Sequence, residues 1–385
     1  MTNSEYLETG FFSGIILMAF FHGMLLAAIF LFHKRLNTKS NKFLALSILG
    51  ICVILAYEFV FWLELEDYIA VWIQYLPIYI RTVIPVGIFY FVTFLIQPEH
   101  KLSKFEKLGF VFIGTEVLLH LMDSAISLLV NDAMYELIEA YFILVSWFLS
   151  IVCCVLYLPL ALRKVNSYQK YLYDHYSTTG KKSLSWLKTF LIILIGIMCV
   201  TIVSFVQYWF GYDDQGDTTF SIITIAFVVL LFWISYFLII HYSWFEIVSI
   251  THTDSEKVPN QNKLSANTSH YYNQLLQLMT EEKTYEDVNL TLDKIADKLQ
   301  ISSGYLSQII KENEQKNFFE FINFYRIEAV KKKLLAVDYN KYTIMGVALE
   351  SGFNSKSTFN AVFKKFTNET PSAFKRRNVG VLNEV

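Results

Sequence analysis

Apolar and polar stretches alternate over residues 1–250 with a spacing that suits a membrane. Seven apolar runs reach the roughly 20 residues that a helix needs to cross a hydrocarbon core of about 30 Å. None of them carries the polar stripe at helical spacing that a surface helix of a soluble protein shows. The pattern predicts seven transmembrane helices, near Phe11–Phe32, Phe43–Leu63, Ile69–Ile96, Leu108–Val130, Leu137–Leu162, Thr189–Phe210 and Phe220–Tyr242.

The loops between these runs differ in charge. Loops 33–42, 97–107 and 163–188 together hold 13 lysine and arginine residues, whereas the three alternate loops are acidic and hold none. Loops rich in lysine and arginine stay on the cytoplasmic side of a membrane. The N-terminus is therefore expected outside, and seven crossings place the chain after Tyr242 in the cytoplasm.

The remaining residues have the composition of a soluble domain. They contain 18 of the 32 basic residues of a chain that is 54% hydrophobic. Residues 251–269 are polar, include Pro259 and lack an apolar period, so they are predicted to form a linker. A helical pattern starts at His270. The predicted division is a membrane domain over 1–250, a linker over 251–269 and a soluble domain over 270–385.

Two segments of the soluble domain repeat each other at an offset of 52–53 residues. Each begins with a threonine, Thr291 or Thr343, in the position of an N-cap. Gly352 suits the end of the helix that Thr343 begins. Each places a small residue where two helices cross and an apolar face on the second helix. This is the pattern of a helix-turn-helix unit. The predicted helices are Leu292–Leu299, about Ser303–Glu312, Ile344–Ser351 and about Ser355–Phe366, with an amphipathic helix over Phe318–Val337 between the units.

The second unit carries a family signature in Gly352–Asn360, Phe363–Lys365 and Thr370–Arg376. These residues resemble the AraC/XylS family of bacterial regulators almost position by position. Asn368-Glu369 departs from the family, which usually has a glycine before the Thr-Pro step. The resemblance covers roughly Leu290–Arg377. It implies a bacterial protein that binds double-stranded DNA, with Tyr271–Glu282 as the first helix of the DNA-binding domain.

In such domains the outward residues near the start of each second helix touch base edges in the major groove. Gln308 and Asn360 suit adenine, and Lys356 suits guanine. The base-contact candidates are Ser303, Gly304, Ser307, Gln308, Lys356, Ser357 and Asn360.

Charge supports the same interpretation. Residues 289–378 hold 15 basic and 9 acidic side chains, a net charge of +6 in a chain whose total is −2. Neutralisation of phosphates supplies most of the affinity for nucleic acids. The candidates for phosphate contacts, which position the protein without reading sequence, are Lys311, Lys364, Lys365, Arg376 and Arg377.

Ionisable residues inside the predicted spans form a second set of candidates, because they are costly in a membrane and usually face the bundle interior. Glu116, His120 and Asp123 share one helix face by their spacing. Two interpretations stay open: a polar ligand or proton site with Arg81 as counter-ion, and interhelical salt bridges that fix packing. The candidates are Glu58, Arg81, Glu116, His120 and Asp123.

The fold class expected from these patterns is all-α, a seven-helix transmembrane bundle followed by a cytoplasmic tandem helix-turn-helix domain. The leading function is a regulator in the bacterial cytoplasmic (inner) membrane whose bundle senses an unknown signal molecule or membrane partner. A transporter with a regulatory DNA-binding tail is the alternative, although the spans show no inverted repeat. An intramembrane enzyme is disfavoured because zinc-protease, hydrolase and phosphate-loop motifs are absent from the sequence, so no catalytic residue, metal or cofactor is predicted.

The length of the linker bears on how a signal would reach DNA. A flexible chain of about 19 residues fluctuates over about 25 Å in end-to-end distance and transmits displacement poorly. We therefore expect the bundle to act by changing how two protomers associate in the lipid bilayer, which raises the local concentration of one DNA-binding domain beside its twin. This predicts a homodimer on DNA and tolerance of changes in linker length.

Overall fold

The computed structural model of the chain describes residues 3–63, 81–130, 132–179, 183–209, 216–240, 268–339 and 341–382. The chain divides into two compact units, one within 1–166 and 184–251 and the other within 167–183 and 252–385. The second unit thus includes a stretch, 167–183, that the apolar pattern assigned to the membrane domain. Of the predicted linker over 251–269, residues 251–267 lie outside the described residues, and residues 268–269 belong to a helix instead.

The described part of the first unit is helical, and each predicted span overlaps one helix, although the fifth helix continues beyond its predicted span to His175. Five helices contain segments long and apolar enough to cross a membrane, whereas Val83–Ile96 and Ile222–Phe237 are shorter apolar stretches. Residues 69–80 of the third predicted span lie outside the described residues. The helices are α1 (Asn3–Phe32), α2 (Lys39–Trp62), α3 (Val83–Ile96), α4 (Lys104–Ser127), α5 (Asp132–His175), α6 (Ser185–Trp209) and α7 (Gly216–Ile240).

Helix α3 lies at the centre of the first unit, and all 14 of its residues are buried. It contacts α2 and α4, while α7 contacts α1, α2 and α6. Helix α4 has the opposite character, since its buried residues are Glu106, Gly109 and Glu116. Its exposed face is apolar and includes Phe110, Val111, Leu118, Leu121 and Met122. An apolar surface of this extent is unusual in a soluble monomer.

The second unit contains seven further α-helices among its described residues after 267, and their bounds lie close to the predicted ones. The first helix begins three residues before Tyr271 and ends two before Glu282, and the central helix ends at Leu335 rather than Val337. The helices are α8 (Thr268–Thr280), α9 (Leu292–Leu299), α10 (Ser303–Glu314), α11 (Phe318–Leu335), α12 (Ile344–Glu350), α13 (Lys356–Thr367) and α14 (Pro371–Leu382).

Helix α11 joins two hydrophobic cores. Phe318, Phe321 and Ile322 near its start pack with α8, α9 and α10. Ile327, Val330 and Leu334 near its end pack with α12, α13 and α14. Each helix-turn-helix unit therefore has a core of its own, and one continuous helix connects the two.

Candidate functional site

The two helix-turn-helix units are built by the same local chemistry. Thr291 and Thr343 cap α9 and α12 by accepting hydrogen bonds from the amides of Lys294 and Gly346 at 3.3 and 3.0 Å. Ser302 and Ser355 cap the second helices, α10 and α13, in the same way. The four caps satisfy amide groups that a helix start leaves unpaired. The predicted caps at Thr291 and Thr343 are confirmed.

The turn between the two helices is also equivalent. Gln300 and Gly352 both have left-handed backbone, with φ of 55° and 92°. The next residue, Ile301 or Phe353, donates its amide to the carbonyl oxygen of Ala296 or Ala348 at 3.0 or 3.1 Å. This bond is the one that closes a Schellman motif. It fixes the angle at which each second helix leaves the first.

The predicted inward faces of the second helices are confirmed. Leu306, Ile309 and Ile310 of α10 are fully buried. On α13 the residues Phe359, Val362 and Phe363 are at most 5% exposed. The outward faces are consequently those that the base-contact candidates occupy.

On α10 the four base-contact candidates occupy its first two turns. Gly304 and Gln308 are exposed, whereas Ser303 and Ser307 are half-buried. The Ser303 hydroxyl donates to the carboxylate of Asp293 on α9. The Gln308 amide donates to Glu312 at 2.7 Å, a bond on the helix surface that a base edge could replace.

On α13 the candidates form one exposed strip. Lys356 and Ser357 are in the first turn and Asn360 follows one turn later, and all three are exposed. Ser355 holds the helix start by accepting from the amide of Thr358 at 3.2 Å. Side chains at the start of a second helix are those that reach base edges when the helix enters the major groove.

The five candidates for phosphate contacts are all exposed. Two of them take part in ion pairs across helices: Lys365 with Glu320 and Arg377 with Glu369, each at 2.7 Å. Exposed ion pairs of this kind contribute little to stability. Both cations can therefore exchange a carboxylate for a DNA phosphate at small cost.

The most buried charge of the second unit is one that the sequence patterns did not single out. Arg326 is 0% exposed on the face of α11 between the two cores. Its Nε donates to the carbonyl oxygen of Tyr285 at 2.7 Å, and Nη2 donates to the carbonyl oxygen of Asp287 at 2.8 Å. Burial lowers the pKa of Arg326 to about 9, with Asp287 opposing the shift. The side chain therefore stays a cation at neutral pH. The sequence feature that could have revealed this role is an arginine in the apolar face of the predicted helix over Phe318–Val337.

The remaining partner of Arg326 is Ser177, which lies far away in sequence. Arg326 donates from Nη1 to the carbonyl oxygen of Ser177 at 3.1 Å and from Nη2 to its hydroxyl at 3.0 Å. Asn323, one turn earlier on α11, donates to the same carbonyl oxygen at 3.0 Å. Ser177, Asn323 and Arg326 are all 0% exposed. Ser177 is thus part of the core of the second unit.

In the first unit, Glu116 is the centre of a buried polar cluster. Its carboxylate accepts from the amides of Arg81 and Thr82 and from the Thr82 hydroxyl, at 3.2, 2.9 and 2.6 Å. Ser146 of α5 donates its hydroxyl to the same carboxylate at 2.9 Å. The predicted companions His120 and Asp123 are half-buried on the same helix. The main chain at Arg81 is therefore bound to Glu116, while the guanidinium lies over the ring of Trp147, 4.3 Å from its centroid.

A cavity of about 100 Å³ adjoins this cluster, and Glu58, Arg81, Trp147 and Ser150 are among the residues that line it. Most other lining residues are apolar, for example Ile197 and Phe227. Three of the five predicted intramembrane residues therefore fall into two neighbouring features joined at Arg81: Glu58 at the cavity and Glu116 in the cluster. Among the described residues no group of His, Cys, Asp and Glu has the arrangement of a metal site.

Comparison with known proteins supports the DNA-binding unit. A family model described as "Helix-turn-helix domain" matches residues 295–377. An uncharacterized HTH-type transcriptional regulator from the cgkA 5′ region of Pseudoalteromonas carrageenovora is 37% identical over 99 residues, 26% of this chain and 55% of that protein. The probable transcription factor PqrA of Proteus vulgaris is 30% identical over 95 residues, 25% of this chain and 75% of that protein.

Two further similarities also cover about a quarter of the chain. An uncharacterized HTH-type transcriptional regulator of Staphylococcus aureus is 33% identical over 87 residues, 23% of this chain and 11% of that protein. The match thus spans about half or less of the length of these first relatives, PqrA excepted. A solved structure of a Listeria innocua protein of unknown function aligns with 27% of this chain and 94% of its own, at 25% identity and a TM-score of 0.25.

Proposed function

Because the chain belongs, through its C-terminal helix-turn-helix domain, to the AraC/XylS family of transcription regulators, we propose that it is a membrane-bound regulator that reads operator DNA with α10 and α13. The observation that carries this proposal is the combination of two complete helix-turn-helix units with a set of long apolar helices in one chain. The membrane bundle would sense a signal and the second unit would respond on DNA.

The exposed face of α4 favours insertion of the first unit into a bilayer. Large apolar side chains cover that face, and its buried residues include the charged Glu106 and Glu116. This inside-out distribution is stable in lipid, where apolar surface needs no cover and ionisable groups turn toward the bundle interior. We take the seven helices as seven spans, with the N-terminus outside and the second unit in the cytoplasm.

The cavity beside Arg81 is the proposed site of the signal. Its lining combines an apolar wall with the carboxylate of Glu58 and the guanidinium of Arg81. Such a lining suits a small, largely apolar ligand with one polar end. The alternative is that the Glu116 cluster only fixes helix packing, and Glu116→Gln distinguishes the two, because a packing role predicts lost expression and a sensing role predicts changed promoter output.

A direct test uses full-length protein reconstituted in lipid nanodiscs. Incubation with a random-sequence duplex pool should enrich a defined motif with two half-sites, since two recognition helices are present. The double variant Lys356→Ala/Asn360→Ala should fail to enrich that motif while keeping weak binding to any DNA at low salt. Failure of the parent protein to enrich any motif would reject the proposal.

A transporter with an attached DNA-binding tail is the second class. It predicts transmembrane flux of the ligand in sealed vesicles, whereas a sensor binds the ligand without moving it. Uptake that is lost in Arg81→Ala vesicles would favour the transporter.

A further inference from the structure

An extended segment, Tyr176–Thr179, follows directly after α5 and pairs with the DNA-binding unit through main-chain atoms. We call this segment the latch. Tyr176 forms an antiparallel bridge with Thr291. The Ser177 amide donates to the carbonyl oxygen of Leu290 at 3.3 Å, and the Thr178 hydroxyl donates to that of Val288 at 3.2 Å. Addition of a short strand to an exposed edge is a common way for proteins to bind a peptide.

The Ser177 side chain makes the latch specific. Its hydroxyl donates to the Leu290 carbonyl oxygen at 2.7 Å and accepts from Arg326. A buried guanidinium needs acceptors to replace its lost water, and Ser177 supplies two of the acceptors around Arg326. Without the latch, the polar groups around Arg326 would be exposed to solvent. The DNA-binding unit is therefore completed by a segment that lies 113 residues before Leu290 in the sequence.

The latch lies beside the start of the first helix of the first helix-turn-helix unit. Thr291, its pairing partner, is the N-cap of α9. Asp293, two residues further along, binds Ser303 at the start of the recognition helix α10. Burial raises the pKa of Tyr176, and the negative charge of Asp293 raises it further. In helix-turn-helix complexes the first helix crosses the DNA backbone, and helix starts contact phosphates.

We propose that the latch is an intramolecular ligand of the DNA-binding unit that competes with DNA: while it is docked on Leu290–Thr291 and Arg326, DNA affinity is low, and its release raises that affinity. The inference rests on the proposed DNA-binding function. Because the latch follows α5 without an intervening loop, a shift of that helix is the means of release. Docking of the latch must then lower DNA affinity by the same factor by which bound DNA weakens docking of the latch.

The test locks the latch with a disulfide in the full-length protein. The two residues of an antiparallel bridge have Cα atoms about 4.5–5.5 Å apart, which falls within the range of about 4.4–6.8 Å that a disulfide spans. Tyr176→Cys/Thr291→Cys, with the four native cysteines replaced by alanine, should therefore oxidise readily in nanodiscs. The control Ser167→Cys/Thr291→Cys should not, since Ser167 is exposed and about two helical turns before the end of α5.

DNA affinity is then measured with a labelled duplex selected from the random pool. We expect the oxidised protein to bind about tenfold or more weakly than the reduced protein, because locking removes the binding-competent state. Duplex added before oxidation should slow disulfide formation. No disulfide without DNA, or equal affinity in both redox states, would overturn the latch. Absence of DNA binding in both states would instead reject the proposed function.

A second variant needs no cross-link. Ser177→Ala removes the hydroxyl that accepts from Arg326, and a hydrogen bond to a charged group is worth about tenfold or more in the docking equilibrium. DNA affinity should therefore rise by about tenfold, while Ser167→Ala on the exposed face of α5 should leave it unchanged. A merely structural role of Ser177 predicts the opposite, a loss of DNA binding.

Discussion

Arg326 packs directly against the backbone of Gly352. A Cβ atom at position 352 would lie 2.8 Å from the Nε atom of Arg326 and 2.5 Å from the carbonyl oxygen of Tyr285. The same Nε donates to that carbonyl oxygen. The turn of the second helix-turn-helix unit thus covers the hydrogen bond between Arg326 of α11 and Tyr285, which precedes the first helix-turn-helix unit. Only glycine fits, both for space and for its φ of 92°.

Gly352→Ala should therefore destabilise the DNA-binding domain. Strained backbone alone costs about 1–3 kcal/mol, and the clash with the Tyr285 main chain adds to it. Urea unfolding of a fragment from Leu264 to Val385, followed by circular dichroism, measures the loss. Gly304→Ala is the matched control, because a Cβ there meets nothing within 4 Å and alanine favours a helix by about 1 kcal/mol. Equal stability of the two variants would contradict this account of Gly352.

Variants of the base-contact residues and variants of the phosphate-contact residues should differ in how their DNA affinity depends on sequence and on salt. Lys356→Ala or Asn360→Ala should relax sequence preference at one position each, at a cost of about 1–3 kcal/mol against the right base. Lys365→Ala should weaken binding to all sequences alike and flatten the salt dependence. Binding to a panel of single-base variants at two salt concentrations measures both effects. Identical behaviour of Lys356→Ala and Lys365→Ala would show that the assignment of roles is wrong.

The local signals in the sequence were sufficient to predict the helices and turns of the two helix-turn-helix units. Capping threonines, an αL glycine and apolar faces act within a few residues, so a single sequence displays them. Asn368 illustrates the same point. It stands near the position where the family usually has glycine and ends α13 with a φ of 58°, a conformation that asparagine tolerates better than most residues. The departure from the family signature is therefore structurally mild.

The latch could not be predicted by the same means. Its contacts join residues about 110–150 positions apart and use mostly carbonyl groups, which every residue has. Ser177 lies in a polar loop and Arg326 in a helix, and neither has a pattern that points to the other. Sequence periodicity reports which face of an element is buried, not which distant segment covers it.

The ion pair at the start of α11 should make the domain sensitive to acid. The hydrogen bond from Lys365 lowers the pKa of Glu320, against the effect of burial. Its contribution to stability is complete above the ordinary pKa of about 4.3 and is lost as pH falls through the lower folded value. The stability difference between parent and Glu320→Gln fragments should therefore shrink as the pH is lowered below about 4. The exposed Glu282–Lys298 pair provides the control variant Glu282→Gln, which should change little.

Reporter fusions test the proposed topology. The distribution of 13 basic residues over alternate loops predicts an outside location after Glu64 and Gly211 and an inside location after Arg163 and Ser249. Paired alkaline phosphatase and fluorescent protein fusions at each site report the side of the membrane. An inside signal at residue 212 would rule out seven spans.

The two routes from membrane to DNA, dimer association through a flexible linker and release of the latch, make different demands on the connection between α5 and the latch. A substitution in the Glu116 cluster can stand in for the unknown signal, because Ser146 of α5 donates directly to that carboxylate. If α5 controls the latch, Glu116→Gln should alter the output of a reporter promoter. Two glycines inserted between His175 and Tyr176 should abolish this effect, because a flexible connection there would no longer transmit a movement of α5 to the latch. Four or five residues inserted near Gln261 should leave the effect intact under both routes. Persistence of the Glu116→Gln effect after the glycine insertion would show that the latch carries no signal. Replacement of the membrane half by an unrelated constitutive dimer would then be expected to give signal-independent promoter control, as dimer association alone requires.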